Sequence, residues 1–567
     1  MRTVNSPTQG QWALGFREPL NAAETAKRED DGLNVRARIE GVYAQGGFGS
    51  IWPSDLRNRF RWYGLYTQRP EEDGYFMLRI RVPGGSLTSA QTDTVGEISQ
   101  RFGRDVADVT DRQNIQLHWI RIEDVPEIWS RLEAVGLSTT EACGDTPRNI
   151  LGCPLAGIDA SEVVDASAVL RAADAQLVGN PEFSNLPRKF KISVSGCSHR
   201  CAQPEINDVG LVGALSRDGE PGFDLWVGGG LSTNPMFASR LGVFVAVDNV
   251  VPVVLGVTSV FRDWGYRRAR NRARLKFLVR DWGAEKFRHM LENEIGYRLP
   301  DLDEARPDDS AHTEHVGIWP QKDGCNYVGF ALKAGRISGH QLRALARLAK
   351  DYGDGRIRTT TQQKMVVLDV PPERTEHLVE ELDVLDLPVR ASNWRKGTMA
   401  CTGIEFCKLA IVETKGRAAE IYGYLDRAIP DYDYDIRINV NGCPNSCARY
   451  QIADIGLMGC QITEKVNNGS VDRGTRKVEA FLVHLGGHLG EERSFGRKVK
   501  GVKVLASEAG PYVETLVRRF RAARAGDESF SSFVNRLSEE ELQRFGAKPQ
   551  AVRMTPAPAA LAQPRAS

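Results

Sequence analysis

Short runs of apolar and β-branched residues alternate along this chain with segments of helical spacing. YFMLRIRV from Tyr75 and IQLHWIRI from Ile115 read as strands, as do NYVGFAL from Asn326 and KMVVLDV from Lys364. Leu342–Asp351 (LRALARLAKD) and Thr375–Leu385 (TEHLVEELDVL) carry apolar residues at helical intervals instead. Such alternation predicts α/β or α+β domains.

The pattern is written twice. GLYTQRPEEDGYFMLRIRVPGG from Gly64 answers to GIWPQKDGCNYVGFALKAG from Gly317, and VTDRQNIQLHWI from Val109 to TTQQKMVVLDV from Thr360. SGCSHRCAQPEINDVGLVG from Ser195 answers to NGCPNSCARYQIADIGLMG from Asn441, and FDLWVGGGLS from Phe223 to FLVHLGGHLG from Phe481. Four matches in the same order, all offset by roughly 250 residues, indicate duplication. Two homologous halves pack most simply about a pseudo-twofold axis, with a shared ligand at the seam.

At 567 residues the chain exceeds one ordinary core. A net charge of +1 argues against general nucleic-acid binding. The polar first thirty residues contain no apolar run resembling a signal peptide, and no stretch reaches the roughly 20 apolar residues that span a bilayer. The chain therefore reads as soluble and cytoplasmic, with no membrane partner. Between the halves, FRDWGYRRARNRARLKFLVRDWGAEKF from Phe261 is strongly basic and helical in pattern. It reads either as a solvated helix face or as a clamp for a polyanionic cofactor or acidic partner.

Four cysteines in the second half change the picture. Cys401 and Cys407 form C-x5-C, and Cys443 and Cys447 form C-x3-C. In a chain without secretory features, close thiol pairs favour an iron–sulfur cluster over disulfides. Buried structural thiols are one alternative. Zinc is another, although zinc knuckles usually use C-x2-C. Gly442, Pro444 and Asn445 predict a tight polar turn around the second pair.

These motifs, with FMLRIRVPGG from Phe76, Arg148-Asn149, NLPRKFK from Asn185 and FDLWVGGGLSTNP from Phe223, resemble the sirohaem and [4Fe–4S] sulfite/nitrite reductase family. The likeness runs from about residue 35 to 535 and is nearest to the ferredoxin-dependent, actinobacterial-type sulfite reductases. It implies duplicated ferredoxin-like and sulfite-reductase haemoprotein halves related by a pseudo-twofold. The expected division is an N-terminal extension at 1–35, a first ferredoxin-like half at 36–130 and a first sirohaem/substrate domain at 131–260. A basic helical connector at 261–310 leads to a second ferredoxin-like half at 311–390, a second [4Fe–4S]/sirohaem domain at 391–535 and a disordered tail at 536–567.

The resemblance further implies a six-electron reduction of sulfite to sulfide, or of nitrite to ammonia, with electrons from a separate ferredoxin. Cys401, Cys407, Cys443 and Cys447 match the cluster ligands, and Cys447 also bridges to the sirohaem iron. Arg79, Arg148, Lys189 and Lys191 match the basic groups around the substrate anion. Arg112, Gln116, His118 and Asn445 match cofactor contacts, and Tyr66 and Cys143 match a tyrosine–cysteine crosslink found in some relatives. A lysine at Lys191 favours sulfite, a dianion, over nitrite. An electron-transfer or corrin-biosynthesis relative without sulfite chemistry is a further reading. Cys143, Cys153, Cys197 and Cys201 in the first half read as a vestige of the duplication rather than as a second cluster, with Cys143 and Cys153 expected where the second copy has Cys401 and Cys407.

Overall fold

The computed structural model describes residues 20–302, 315–432, 434–466 and 474–548. The predicted strands form as Phe76–Ile80, Ile115–Ile120, Asn326–Phe330 and Met365–Val370, and the predicted helices as Gly339–Tyr352 and Thr375–Val384. They build two of four five-stranded sheets.

These first two sheets each borrow an edge strand from the other copy. Arg336–Ile337, from the second copy, pairs antiparallel with Ala107–Val109, and Ser86–Thr88, from the first, pairs with Arg356–Thr359. Each exchanged strand runs straight into a helix opened by a capping box: Thr88 with Gln91 before Ser89–Phe102, and Ser338 with Gln341 before Gly339–Tyr352. The two helices pack so closely that a Cβ at Gly96 would sit 2.7 Å from Gly339 O, and one at Gly339 would sit 2.5 Å from Gly96 O. Residues of both copies, from Val35 to Leu137 and from Val328 to Val389, share one apolar core.

The remaining sheets repeat one topology. Leu151–Gly152, Ile192–Ser195 and Val209–Leu215 run parallel, and Pro221–Val227 and Ser239–Ala246 complete the sheet antiparallel. Thr398–Ala400, Ile438–Asn441, Ile455–Val466, Gly474–Leu485 and Arg497–Leu505 follow the same order and sense. Each sheet carries its own core.

Two expectations need correction. The basic segment is not one helix: Val250–Trp264 ends at Gly265, a short 3-10 turn covers Arg270–Arg272, and Leu275–Ile295 is helical on either side of a break at Gly283, φ 76°. Its cations mostly bind the protein itself. Arg267 pairs with Glu24 at 3.1 Å, Arg270 with Asp145 at 2.5 Å and Arg274 with Asp208 at 2.8 Å. The Lys276 ammonium donates to the carbonyls of Gly230 and Leu231. The expected tail from 536 contains a capped helix, Glu539–Phe545, whose Leu542 is fully buried; residues 549–567 lie outside the described residues.

One buried acid gives the fold a pH dependence. Glu141 Oε2 accepts the Gly179 N–H at 2.8 Å, while Oε1 is buried without a hydrogen-bond partner among the described residues. Burial above all pushes this carboxyl up from 4.5 to about 7. Between those values the folded state holds a proton that the unfolded state has lost, so stability falls as pH rises through the window. Glu141→Gln should remove a loss on the order of 2–3 kcal/mol. Thermal melts near pH 5 and pH 8 check this, and a variant as pH-sensitive as the parent refutes it.

Candidate active site

The second-half cysteine loops leave from neighbouring points. Cys401 directly follows Thr398–Ala400, and Cys443 follows the parallel strand Ile438–Asn441 after Gly442. Adjacent parallel strands end side by side, which brings the two loops together. Gly442 N–H donates to Cys401 Sγ at 3.2 Å, and Cys407 turns back so that its N–H meets Gly403 O at 3.0 Å. Ser446 and Arg449 take left-handed conformations, φ 58° and 55°, in the tight turn the sequence predicts. Burial holds the thiols of Cys401, Cys443 and Cys447 above their ordinary value, Cys447 at about 12, so metal binding must release protons here.

Cys407 and Cys447 open into a cavity of about 520 Å³ walled by both halves. Arg79, Arg112, Arg148, Lys189, Lys191 and Asn445 all line it, as do Tyr66 and Cys143. Arg79 is held in place: Gln116 Oε1 accepts from its Nη2 at 3.0 Å, and its Nη1 lies 3.6 Å from Cys143 Sγ. The same guanidinium sits 5.7 Å from the centre of the Tyr66 ring. Arg81, two residues on, turns away to pair with Asp174 at 2.5 Å. Arg148 donates from Nε and Nη2 to Gly144 O, and Arg112 donates to Asn149 O and Asn207 Oδ1.

Two predicted contacts stand back from the cavity. His118 is fully buried, with Nε2 2.8 Å from Asp108 and its ring stacked at 3.7 Å on Phe406, which does line the wall. Gln116 is spent on Arg79 and on Thr402 Oγ1. Both residues support the wall rather than forming it.

The cations crowd one another. Burial, then Arg274 and Arg148, brings Lys189 down to about 8; burial, then Arg148, brings Arg79 to about 10. Lys191 is lowered by burial, Arg112 and Lys189. A bound anion relieves that strain. Arg79 Nε, Arg112 Nε and Ser446 Oγ are buried without protein partners among the described residues, so the wall has donors left for a polycarboxylate group. With four converging thiols beside it, the donor set fits an iron–sulfur cluster adjoining an anionic macrocycle.

Known proteins share this chain's sequence pattern and fold. Residues 143–299 and 392–548 match the family described as nitrite and sulphite reductase 4Fe-4S domain, and 68–135 and 319–385 match the nitrite/sulfite reductase ferredoxin-like half domain. The chain belongs to the nitrite and sulphite reductase family.

Among relatives, the "Sulfite reductase [ferredoxin] 1" of Mycolicibacterium paratuberculosis is 50% identical over 563 residues, covering 96% of this chain and 99% of that one. The "Assimilatory ferredoxin-dependent nitrite reductase" of Haloferax mediterranei is 38% identical over 532 residues, covering 88% and 89%. The solved structure of the Mycobacterium tuberculosis NirA protein superposes with a TM-score of 0.88 at 48% identity, covering 94% of this chain and 99% of that one.

Sequence reasoning overlooked several parts of this reductase's wall. Arg449 is buried, pairs with Asp111 at 3.1 Å and touches Gln203 and Thr361 O. Gln203 is its repeat counterpart, with φ 57° against 55°, so equivalent residues of the two copies meet in the cavity wall. The repeat pairing of SGCSHRCAQ with NGCPNSCAR carried that signal. Arg57, Arg61 and Lys408 add further charge to the lining although no motif marked them, and so does Arg188, which sits inside NLPRKFK but was not singled out. The first-half cysteines also fall differently from expectation. Cys143 lines the cavity, whereas Cys153, Cys197 and Cys201 are buried elsewhere, Cys153 in hydrogen-bond contact with each of the other two. The strand registers make Cys153 the counterpart of Cys401 in the other copy, because Gly152 pairs with Val194 as Ala400 pairs with Val440.

Proposed function

We propose that this chain catalyses the six-electron reduction of sulfite to sulfide, with reduced ferredoxin as donor. The carrying observation is that Cys407 and Cys447 open into the same cavity as Arg79, Arg148, Lys189 and Lys191. Relatives 50% and 48% identical that are named sulfite reductase [ferredoxin] support the same reading. Cys401, Cys407, Cys443 and Cys447 would hold a [4Fe–4S] cluster, with Cys447 shared with sirohaem, and Arg112 and Asn445 would bind sirohaem. When bound, these groups supply an iron site for the substrate and a route for single electrons.

The chain's own residues do the rest. Arg79, steadied by Gln116, and Arg148, tied to Gly144 O, present fixed guanidinium groups to the substrate oxygens. Lys189 and Lys191 are compact charges on the strand-side loop; each can hold the anion and release a proton from Nζ as oxygen leaves as water. Tyr66 and Cys143, both beside Arg79, are positioned on the wall where a crosslink would border the substrate. All ten cysteines are free, which suits a cytoplasmic setting, and no helix among the described residues is long and apolar enough to cross a membrane.

Steady-state turnover with reduced ferredoxin, comparing sulfite and nitrite at equal concentration, tests the proposal. We expect the higher kcat/KM with sulfite, and Lys191→Asn to narrow the preference by about tenfold, the worth of one charge-assisted contact. A clear preference for nitrite in the parent enzyme would favour the nitrite reductase reading on the same scaffold.

A further inference from the structure

The first copy keeps its own ligand set at the position equivalent to the cluster site. By strand register Cys153 is the counterpart of Cys401, and Cys197 and Cys201 are the repeat counterparts of Cys443 and Cys447. Counting on from Cys153 as from Cys401, the place of Cys407 is taken by Asp159. The backbone bears out that equivalence. Asp159 N–H bonds Leu155 O at 3.1 Å as Cys407 N–H bonds Gly403 O at 3.0 Å, and Val163 N–H bonds Gly196 O at 2.8 Å as Ile411 N–H bonds Gly442 O at 3.0 Å. The turn therefore survived duplication with one thiol changed to a carboxylate. His199, between the two cysteines of the C-x3-C, adds an imidazole.

The two sites differ in size. In the second copy no three of the four cysteine sulfurs lie within 4.8 Å of one another, the wider spacing a multi-atom cluster requires. In the first, Cys153, Cys197 and Cys201 are buried, and Cys153 is in hydrogen-bond contact with both others. His199 Nδ1 lies 3.6 Å from Cys197 Sγ and 3.7 Å from Asp159 Oδ2, and the donor atoms of Asp159, Cys197 and His199 all fall within 4.8 Å of one another. A tetrahedral ion with metal–sulfur bonds of about 2.3 Å holds its donors about 4 Å apart. This spacing fits one ion and is too tight for a cubane.

We propose that Cys197, His199 and Asp159 bind a single divalent ion of the zinc class, with Cys153, which contacts Cys197 but stands outside that three-residue group, moving in as the fourth ligand, in a structural site separate from the redox centre. Its ligands are two thiolates, one imidazole and one carboxylate, a donor mixture zinc accepts. The ion fastens the 153–159 turn to the loop that continues into Gln203 and Asn207 of the cavity wall. It transfers no electrons.

Elemental analysis and zinc-edge X-ray absorption of the full-length holoenzyme, from cells grown with zinc, test this. We expect about one zinc per chain beside about five irons. The zinc shell should mix sulfur near 2.3 Å with nitrogen or oxygen near 2.0 Å. In Cys197→Ser and His199→Ala the zinc should fall at least fivefold while iron is retained. Zinc absent from the parent enzyme, a shell of oxygen and nitrogen alone, zinc undiminished in both variants, or about nine irons per chain would each overturn the proposal. The shell is measured on the parent enzyme, so the test does not depend on the variants folding.

Discussion

Cys447→Ser is expected to reduce sulfite turnover by at least about a thousandfold, because it removes a cluster ligand and the thiolate proposed to couple cluster to sirohaem. Cys447 opens into the cavity, and its thiol feels the charges of Lys189, Cys401 and Cys443. A serine oxygen is a harder and weaker ligand for iron than a thiolate. Iron content, the visible absorption spectrum and turnover should fall together. Cys460→Ser is the control: Cys460 lies on the strand Ile455–Val466, outside the cavity lining, and its replacement should change none of the three. Full turnover in Cys447→Ser would remove the thiolate from the mechanism.

Neutralising the lysines is expected to produce the second-largest effect, with the cofactors retained. Lys189→Met should lower kcat/KM for sulfite by about a hundred- to a thousandfold, the usual worth of a charge aimed at a reacting anion in a secluded site. Lys191→Met should act in the same range. The double variant should cost less than the product of the two, since the Lys189 charge disfavours the charged form of Lys191. Gln116→Ala should be milder, about tenfold, because it frees Arg79 without removing its charge. An unchanged absorption spectrum separates loss of substrate binding from loss of sirohaem. A Lys189→Met enzyme with parental kcat/KM would place that ammonium outside the chemistry.

Much of this was legible in the chain. Strand and helix positions followed from short-range periodicity, and the repeat announced both the duplication and the paired cysteine loops. Arg79, Arg148, Lys189 and Lys191 were found because they sit within motifs. His118 shows where that logic weakens. The family likeness made it a cofactor contact, but the partner strand's Asp108 and the stacked Phe406 close it off from the cavity. The basic stretch after Phe261 shows the same limit, because a run of arginines looks alike whether it meets a ligand or the carboxylates of Glu24, Asp145 and Asp208.

What the sequence alone determined was the set of local units and their duplication, since those depend on residues close together along the chain. Tertiary structure decided which units share a surface. Reciprocal exchange of Ser86–Thr88 and Arg336–Ile337 merges the two ferredoxin-like halves into one core and turns equivalent loops toward each other. That is why Arg449 meets Gln203, why cations from both copies crowd a single cavity, and why one copy of the cysteine turn stays open while the other closes. Contacts between residues some 250 positions apart follow from packing, and no local pattern encodes them.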